Sequence, residues 1–548
     1  MKWLYLVLFL VPFGLAFHPD LPNHGYGQMW WFVPILYWIR QPERRKRLAL
    51  YALGIVLQTL AFPEPDLGVL GWALLLPYLF ARKLDDGAVW WRAAFAFGFF
   101  RGHMGYYWLG GIHFSAWIAV AFLSGLGFAF LFELGLRRLR FVPFALRVAI
   151  CWAAFEWYHS WMLGGFPWLF LSHTQYAYGP VLQVVDLVGA AGLSFVMAYA
   201  QGAVAARKRT ELIAAGALVA AVLGYGLWRT GPADAADGPA IVMVQTKQPH
   251  SVKETVRLSP RHFWRRLMEL TREGLKEWPD ARLVVWPETI YPWPYVETGD
   301  VDPRFRLSHA RSFARQIGKP MLIGLNSYTN IDRGRAGRGH NSAVLIEPNG
   351  GEPTIYRKQH LVPMGEEFLL RYVLPEAWAS AMFDWLAENV AYPRNCDLEK
   401  GDGFAVLDAG EGLRCVPLIC FEGLYPDMGR AALSADADLV IHLVNNGWFG
   451  ASWEQRQSVA CWVMRAVETR TPFFSCANGG VTCAIAPDGR ILGRIDRVME
   501  EGVMGARVPR RWDEPWFMRG GAYAVLAVSL AGVALFGLLT WRRRTENG

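Results

Sequence analysis

Three polar residues stand where predicted strands end, and together their types can carry out acyl transfer. Glu288 closes RLVVWPE, Lys358 closes TIYRK and Cys420 closes RCVPLIC. In a layered α/β domain, strand ends feed the loops at the sheet edge, where sites are built. A free thiol has a pKa of about 8.5, so little of it is thiolate at neutral pH. A neighbouring Glu288 can act as general base toward Cys420. Lys358 supplies a fixed positive charge where a tetrahedral oxyanion develops, which lowers the barrier selectively in the transition state. Taken singly, each has a bland reading: a Cys at the end of an apolar strand is usually a small buried residue, and a lone Glu or Lys a solvated charge.

The elements that must position these residues begin at Ala240. Short β-branched runs alternate there with longer amphipathic stretches: strands are predicted at 240–245, 282–286, 320–325, 343–347, 414–420, 438–444 and 482–487, and helices at 258–278, 303–317 and 454–470. That alternation predicts an α/β layered domain over 230–518. The stretch 367–390 is apolar and aromatic on more than one face. It fits a lid over the site, a segment dipping into a membrane interface or ordinary core packing.

Of the 548 residues 53% are hydrophobic and 19% charged. The apolar residues dominate 1–229, thin out over 230–518 and return at 521–541, which excludes an ordinary soluble enzyme. A span needs about 20 residues, with a lower limit near 17. The candidates are 48–62, 67–81, 93–110, 116–136, 148–163, 181–204, 211–229 and 521–540. Thus 41–229 reads as a bundle of about seven helices, and 519–548 as a last span with a basic tail. Basic connectors at 40–47, 82–92, 137–147, 207–210 and 541–544 alternate with connectors lacking such clusters. Cytoplasmic loops retain Lys and Arg, so the alternation puts 230–518 on the opposite face, the periplasm in a cell that has one. Residues 1–40 form an extension with one or two short apolar segments, read as membrane segments in preference to a cleaved signal.

The net charge of +8 sits largely in these clusters at helix ends, which argues against nucleic-acid binding. Seven cysteines form neither a CxxC pair nor a His/Cys metal spacing, so no metal site is predicted. A Cys396–Cys415 disulfide is compatible with the sequence but nothing in it supports one.

In context, WPE, then Lys358 with HLVPMGE after it, then CFE resembles the Glu-Lys-Cys triad of the nitrilase superfamily. The match is closest to the bacterial apolipoprotein N-acyltransferase family. GGFPW (164–168), LVPMGEEF (361–368), WFG (448–450), MRAVE (464–468) and ANGGVT (477–482) resemble that family's signatures. The resemblance implies a multi-span α-helical membrane bundle carrying an extracytoplasmic nitrilase-like α-β-β-α sandwich. It implies a phospholipid acyl donor, a thioester on Cys420 and the N-terminal α-amine of a diacylated apolipoprotein as acceptor, with no cofactor, in the bacterial inner membrane. It also marks Glu366 and Glu422 as supporting carboxylates, which orient Lys358 and shape the field around the thiolate. Trp448, Phe421 and Asn341 are placed at the substrate pocket, with a structural role for Trp448 equally open.

Several positions depart from the family. Phe421 stands where a tyrosine commonly follows the nucleophile, Asn446 replaces an acidic residue, SWEQRQS (452–458) replaces a stretch with GP and QH, and Glu254 stands where a tryptophan can. Two other readings use the same residues differently. A membrane-tethered amidase would use water as acceptor, but one helix would suffice to tether it. A catalytically dead scaffold or transporter would be expected to lose a triad residue, and this chain keeps all three.

Overall fold

The computed structural model describes residues 42–521, apart from 85–89, 231–236, 249–259, 298–306, 369–373, 390–397, 430–435 and single or paired positions at 113, 294, 330, 333–334, 337–338 and 364. The extension 1–40, the span 521–540 beyond its first residue, Glu254 and Cys396 therefore lie outside the described residues. Two compact units divide the chain. One takes the described residues up to Phe155 with Ser194–Leu218, and the other takes Glu156–Leu193 with Val219 onward. The residues before Ala240 that join the second unit, 156–193 and 219–229, were expected in the bundle.

The helices are α1 (Pro42–Ala61), α2 (Leu76–Arg82), α3 (Trp90–Gly105), α4 (Ala116–Arg138), α5 (Phe144–His159), α6 (Val185–Ala206) and α7 (Arg209–Arg229). Among the described residues α4, α6 and α7 are long and apolar enough to cross a membrane. The segment expected at 67–81 is a shorter apolar helix, Gly68–Arg82, which begins as a 3-10 turn, Gly68–Trp72, and ends in the seven-residue α2. The span expected at 181–204 corresponds to α6, which is kinked at Gly189, whose φ of 70° is non-helical. In the first unit, Tyr78, Phe97, Phe128 and Phe132 pack ring to ring. Buried Glu133 is matched by Arg82, Arg137 and the Tyr78 hydroxyl at 2.7–3.0 Å, as a charge in such surroundings must be.

The second unit holds strands β1 (Ala240–Gln245), β2 (Leu283–Val285), β3 (Met321–Tyr328), β4 (His340–Ile346), β5 (Thr354–Arg357), β6 (Arg414–Ile419), β7 (Leu439–Asn445), β8 (Phe473–Asn478), β9 (Thr482–Ile485), β10 (Ile491–Ile495) and β11 (Gly502–Arg507). One sheet runs β11-β1-β2-β3-β4-β5, the other β10-β9-β8-β7-β6 with a short Leu407–Asp408 edge. The central strands pair in parallel: β1 with β2, β2 with β3, β6 with β7 and β7 with β8. Ile241, Met243 and Val285 face Ile419, Ile441 and Phe474 between the sheets. Val244 and Val284 instead meet Leu267, Leu270 and Phe313 of helices α8 (Pro260–Glu277) and α9 (Ser308–Ile317). Both faces of β1 are covered, so AIVMV (240–244) is continuously apolar.

Within 367–390, helix α10 (Glu376–Asn389) packs Ala379 and Phe383 on Phe368. Its other face leaves Trp378 and Trp385 70% and 57% exposed. Helix α11 (Glu454–Thr469) closes the second sheet, and nearly all its residues are buried although its sequence is polar. Two of its polar groups find partners on the segment 164–190: Trp168 Nε1 donates to Gln457 Oε1 at 2.8 Å, and the Ala190 amide to Glu468 Oε1 at 2.8 Å. Just beyond α11, fully buried Arg470 meets Asp186 Oδ2 at 2.7 Å. Cys415, once a disulfide candidate, is a free buried thiol in β6.

Candidate active site

Glu288, Lys358 and Cys420 leave neighbouring strand ends and converge. Glu288 follows β2 by three residues, and the next residue, Thr289, has a φ of 48°. The turn passes so close to β3 that a Cβ on Gly324 would lie 2.3 Å from the Pro287 carbonyl. Lys358 directly follows β5, with its amide donating to the Asn341 carbonyl at 2.8 Å. Cys420 opens a 3-10 turn, Cys420–Leu424, at the end of β6, with a φ of 53°.

The Lys358 side chain is fully buried. Its Nζ lies 2.8 Å from Glu366 Oε2 and 3.5 Å from Glu288 Oε1. Asn341 Nδ2 donates to Glu288 Oε1 at 2.7 Å and to Glu366 Oε1 at 2.9 Å. Asn341, expected as a pocket residue, is thus the bridge between the two carboxylates. Oε2 of Glu288 is buried and takes no hydrogen bond from a nitrogen or oxygen of the described residues. The Cys420 thiol and this carboxyl group are near enough for each to shift the other's pKa.

Burial raises the Glu288 pKa, Lys358 opposes that and Glu366 adds to it, leaving it above the ordinary carboxylate range. Burial works against the Lys358 charge, but Glu366 and Glu288 outweigh it and hold its pKa above the usual lysine value. Burial and the Glu288 charge push the Cys420 thiol well up, against the pull of Lys358. The resting nucleophile is therefore a protonated thiol beside a base with one open oxygen.

Glu422 serves the backbone. Its Oε1 accepts from Tyr356 Oη at 2.8 Å and from the amides of Gln359 and His360 at 2.7 and 3.1 Å, and its Oε2 from the Ile419 amide at 2.8 Å. It joins the chain on either side of Lys358 to the strand end that carries Cys420, and raises no direct contact with the ammonium.

The GGFPW loop reaches the same turn. Tyr425 Oη donates to the Gly165 carbonyl at 2.6 Å, and His360 Nε2 to the Gly164 carbonyl at 3.2 Å. The His360 ring lies 3.9 Å from that of Tyr425, and Phe421 stacks on Phe166 at 6.3 Å. Phe421 thus forms an aromatic wall. Trp448, on a 3-10 turn after β7, is 51% exposed. Tyr425 and His442 escaped the sequence reading, and His360 entered it only as part of the HLVPMGE motif, without a role of its own. His442 had a signal, as the one ionisable residue inside the apolar run LVIHLV (439–444).

The sequence family described as the apolipoprotein N-acyltransferase N-terminal domain matches residues 53–203, and carbon-nitrogen hydrolase matches 241–514. A relative from Azotobacter vinelandii named apolipoprotein N-acyltransferase is 30% identical, covering 93% of this chain and 98% of that one. Another of the same name, from Geobacter metallireducens, is 28% identical over 91% and 96%. Among solved structures, the amidase from Nesterenkonia sp. AN1 is similar at 19% identity and a TM-score of 0.36, covering 51% of this chain and 94% of that one. With near-complete coverage of relatives on both sides, the chain belongs to the apolipoprotein N-acyltransferase family.

Proposed function

We infer that this membrane enzyme transfers a fatty acyl group from a phospholipid, through a thioester on Cys420, to the N-terminal α-amine of S-diacylglyceryl cysteine in apolipoproteins. The observation that carries the reading is the open Oε2 of Glu288 beside the Cys420 thiol, in an array whose lysine is fully buried, in a chain of this family.

In the first half-reaction Glu288 takes the thiol proton as Sγ attacks the donor's ester carbonyl. Lys358 stabilises the oxyanion that forms, in surroundings where water does not compete. Collapse breaks the ester C–O bond, and the departing lysophospholipid oxygen takes the proton back from Glu288. In the second half, the acceptor amine attacks the thioester carbonyl and gives a proton to Glu288. Collapse forms the amide and expels the Cys420 thiolate, which recovers that proton. The amine has a pKa near 8, so a sizeable fraction is neutral at working pH. Amide formation from a thioester is downhill and calls for no cofactor. The alternating basic connectors support an inner-membrane location with the catalytic domain on the periplasmic face.

The test supplies a phospholipid with deuterated acyl chains and a diacylated lipopeptide with a free N-terminal cysteine. The reading expects the labelled chain on the peptide amine, one lysophospholipid released per transfer and no reaction with an N-acetylated peptide. Release of the labelled chain as free carboxylate, with the peptide unmodified, would overturn it in favour of hydrolysis.

A further inference from the structure

One ionisable side chain outside the reacting array sits against the nucleophile itself. His442 lies near the middle of β7, fully buried, with the rings of Trp462 and Phe473 at 5.0 and 5.3 Å. Its Nε2 is 2.7 Å from the carbonyl oxygen of Cys420, and its Nδ1 is 3.0 Å from Oγ of Ser475 on β8. A carbonyl only accepts, so Nε2 carries the proton and Nδ1 accepts from the Ser475 hydroxyl. Burial lowers the His442 pKa to about 4, against the Cys420 carbonyl and with help from Lys358, so the ring is neutral at working pH. A Cβ on Gly423 would lie 2.9 Å from Nε2, so only a glycine lets the turn approach the ring this closely.

The carbonyl so held belongs to a residue in an unfavourable conformation. A left-handed φ is unfavourable for a non-glycine residue and persists only where its surroundings over-determine it. At Cys420 the surroundings are Glu422, which fixes the preceding amide, and His442, which fixes the carbonyl. We propose that His442, oriented by Ser475, is a positioning residue that holds Cys420 in its left-handed conformation and so keeps Sγ on the open oxygen of Glu288. Because a trans peptide sets C=O and N–H on opposite sides, the same bond turns the Phe421 amide away from His442. The proposal rests on Cys420 being the nucleophile of the acyl-transfer reading.

The experiment follows alkylation of Cys420 by iodoacetamide in the full-length, detergent-solubilised enzyme between pH 5.5 and 9, located by peptide mass spectrometry. Thioester formation from phospholipid is measured in parallel. His442→Phe keeps a ring and removes the donor, His442→Gln restores an amide donor near Nε2, and Ser475→Ala frees the ring. Glu288-assisted proton removal gives the wild type a rate nearly independent of pH above the acid limb. His442→Phe is expected to alkylate at least tenfold more slowly at pH 7, with a rate that rises tenfold per pH unit. His442→Gln is expected within threefold of wild type with the wild-type profile, and Ser475→Ala between the two.

A folded His442→Phe enzyme with the wild-type profile and rate would overturn the proposal. So would a His442→Gln rate as low as that of His442→Phe. If His442→Phe does not fold, a folded Ser475→Ala enzyme with an unchanged profile overturns it, and a shifted one supports it. A wild type that shows the assisted alkylation profile but never acquires an acyl chain would overturn the acyl-transfer reading and leave the role of His442 standing.

Discussion

Nζ of Lys358 lies 2.8 Å from Oε2 of Glu366, closer than the 3.5 Å that separates it from Oε1 of Glu288. The ammonium is thus held chiefly by the carboxylate assigned no proton transfer. Glu366 is itself fixed by Asn341 Nδ2 at 2.9 Å and the Val362 amide at 2.9 Å. Lys358 is thereby placed without tying up both oxygens of the base.

Replacing Glu366 with Gln is expected to act on Glu288 as well as on Lys358. Glu366 contributes to raising the Glu288 pKa, so removing its charge lowers that pKa. Glu288 works as a base only when deprotonated, so the acid limb of the acylation rate moves to lower pH. The plateau is expected to fall about 10- to 100-fold as the ammonium loses its nearest partner. Single-turnover acylation across pH measures both.

Gly165→Ala is expected to abolish activity. Gly165 has a φ of 105°, and an added Cβ would lie 2.7 Å from both Tyr425 Oη and the Ser160 carbonyl. Tyr425→Phe is milder: it leaves the buried Gly165 carbonyl without that donor, at a cost of about 1–3 kcal/mol. Thermal unfolding should show a large loss for the first and a modest one for the second.

Buried Glu454 makes a pH-dependent contribution to stability. Burial raises its pKa to about 8, above the unfolded value of about 4.3. Between these values the folded chain holds a proton that the unfolded chain has lost. The contribution is therefore complete below the lower value and is lost as pH rises through the upper one. Glu454→Gln should flatten the decline of the melting temperature between pH 5 and 9 and exceed the wild type at the alkaline end.

Asp186 and Arg470 form a buried pair at 2.7 Å, with Tyr225 and Arg229 also on the aspartate at 2.8 and 3.2 Å. Asp186→Asn strands a buried guanidinium and is expected to cost about 3–5 kcal/mol. Adding Arg470→Met removes the stranded charge, and the double variant should melt higher than Asp186→Asn alone.

Glu288, Lys358 and Cys420 could be singled out together because each stands at or just past a predicted strand within a motif that resembles the family's, and the structure brings the three together. Asn341 was found, but not its role, because its reach to both carboxylates depends on the register of β4 against β3 and β5. The burial of α11 could not be read, since its partners lie some 280 residues earlier in the chain. Strands β10 and β11, ILGRI and GVMGAR, went unlisted among the predicted strands because their glycines weaken strand propensity. The 67–81 run folds as a shorter apolar helix, Gly68–Arg82, whose 3-10 first half apolar composition alone does not register.

The most direct test is the intact mass of the detergent-purified enzyme after incubation with phospholipid, with Cys420→Ala beside it. The account predicts one fatty-acyl adduct on the wild type, released by neutral hydroxylamine and absent from the variant. A folded wild type that stays unmodified across a range of phospholipids, or an adduct that persists in Cys420→Ala, would contradict it.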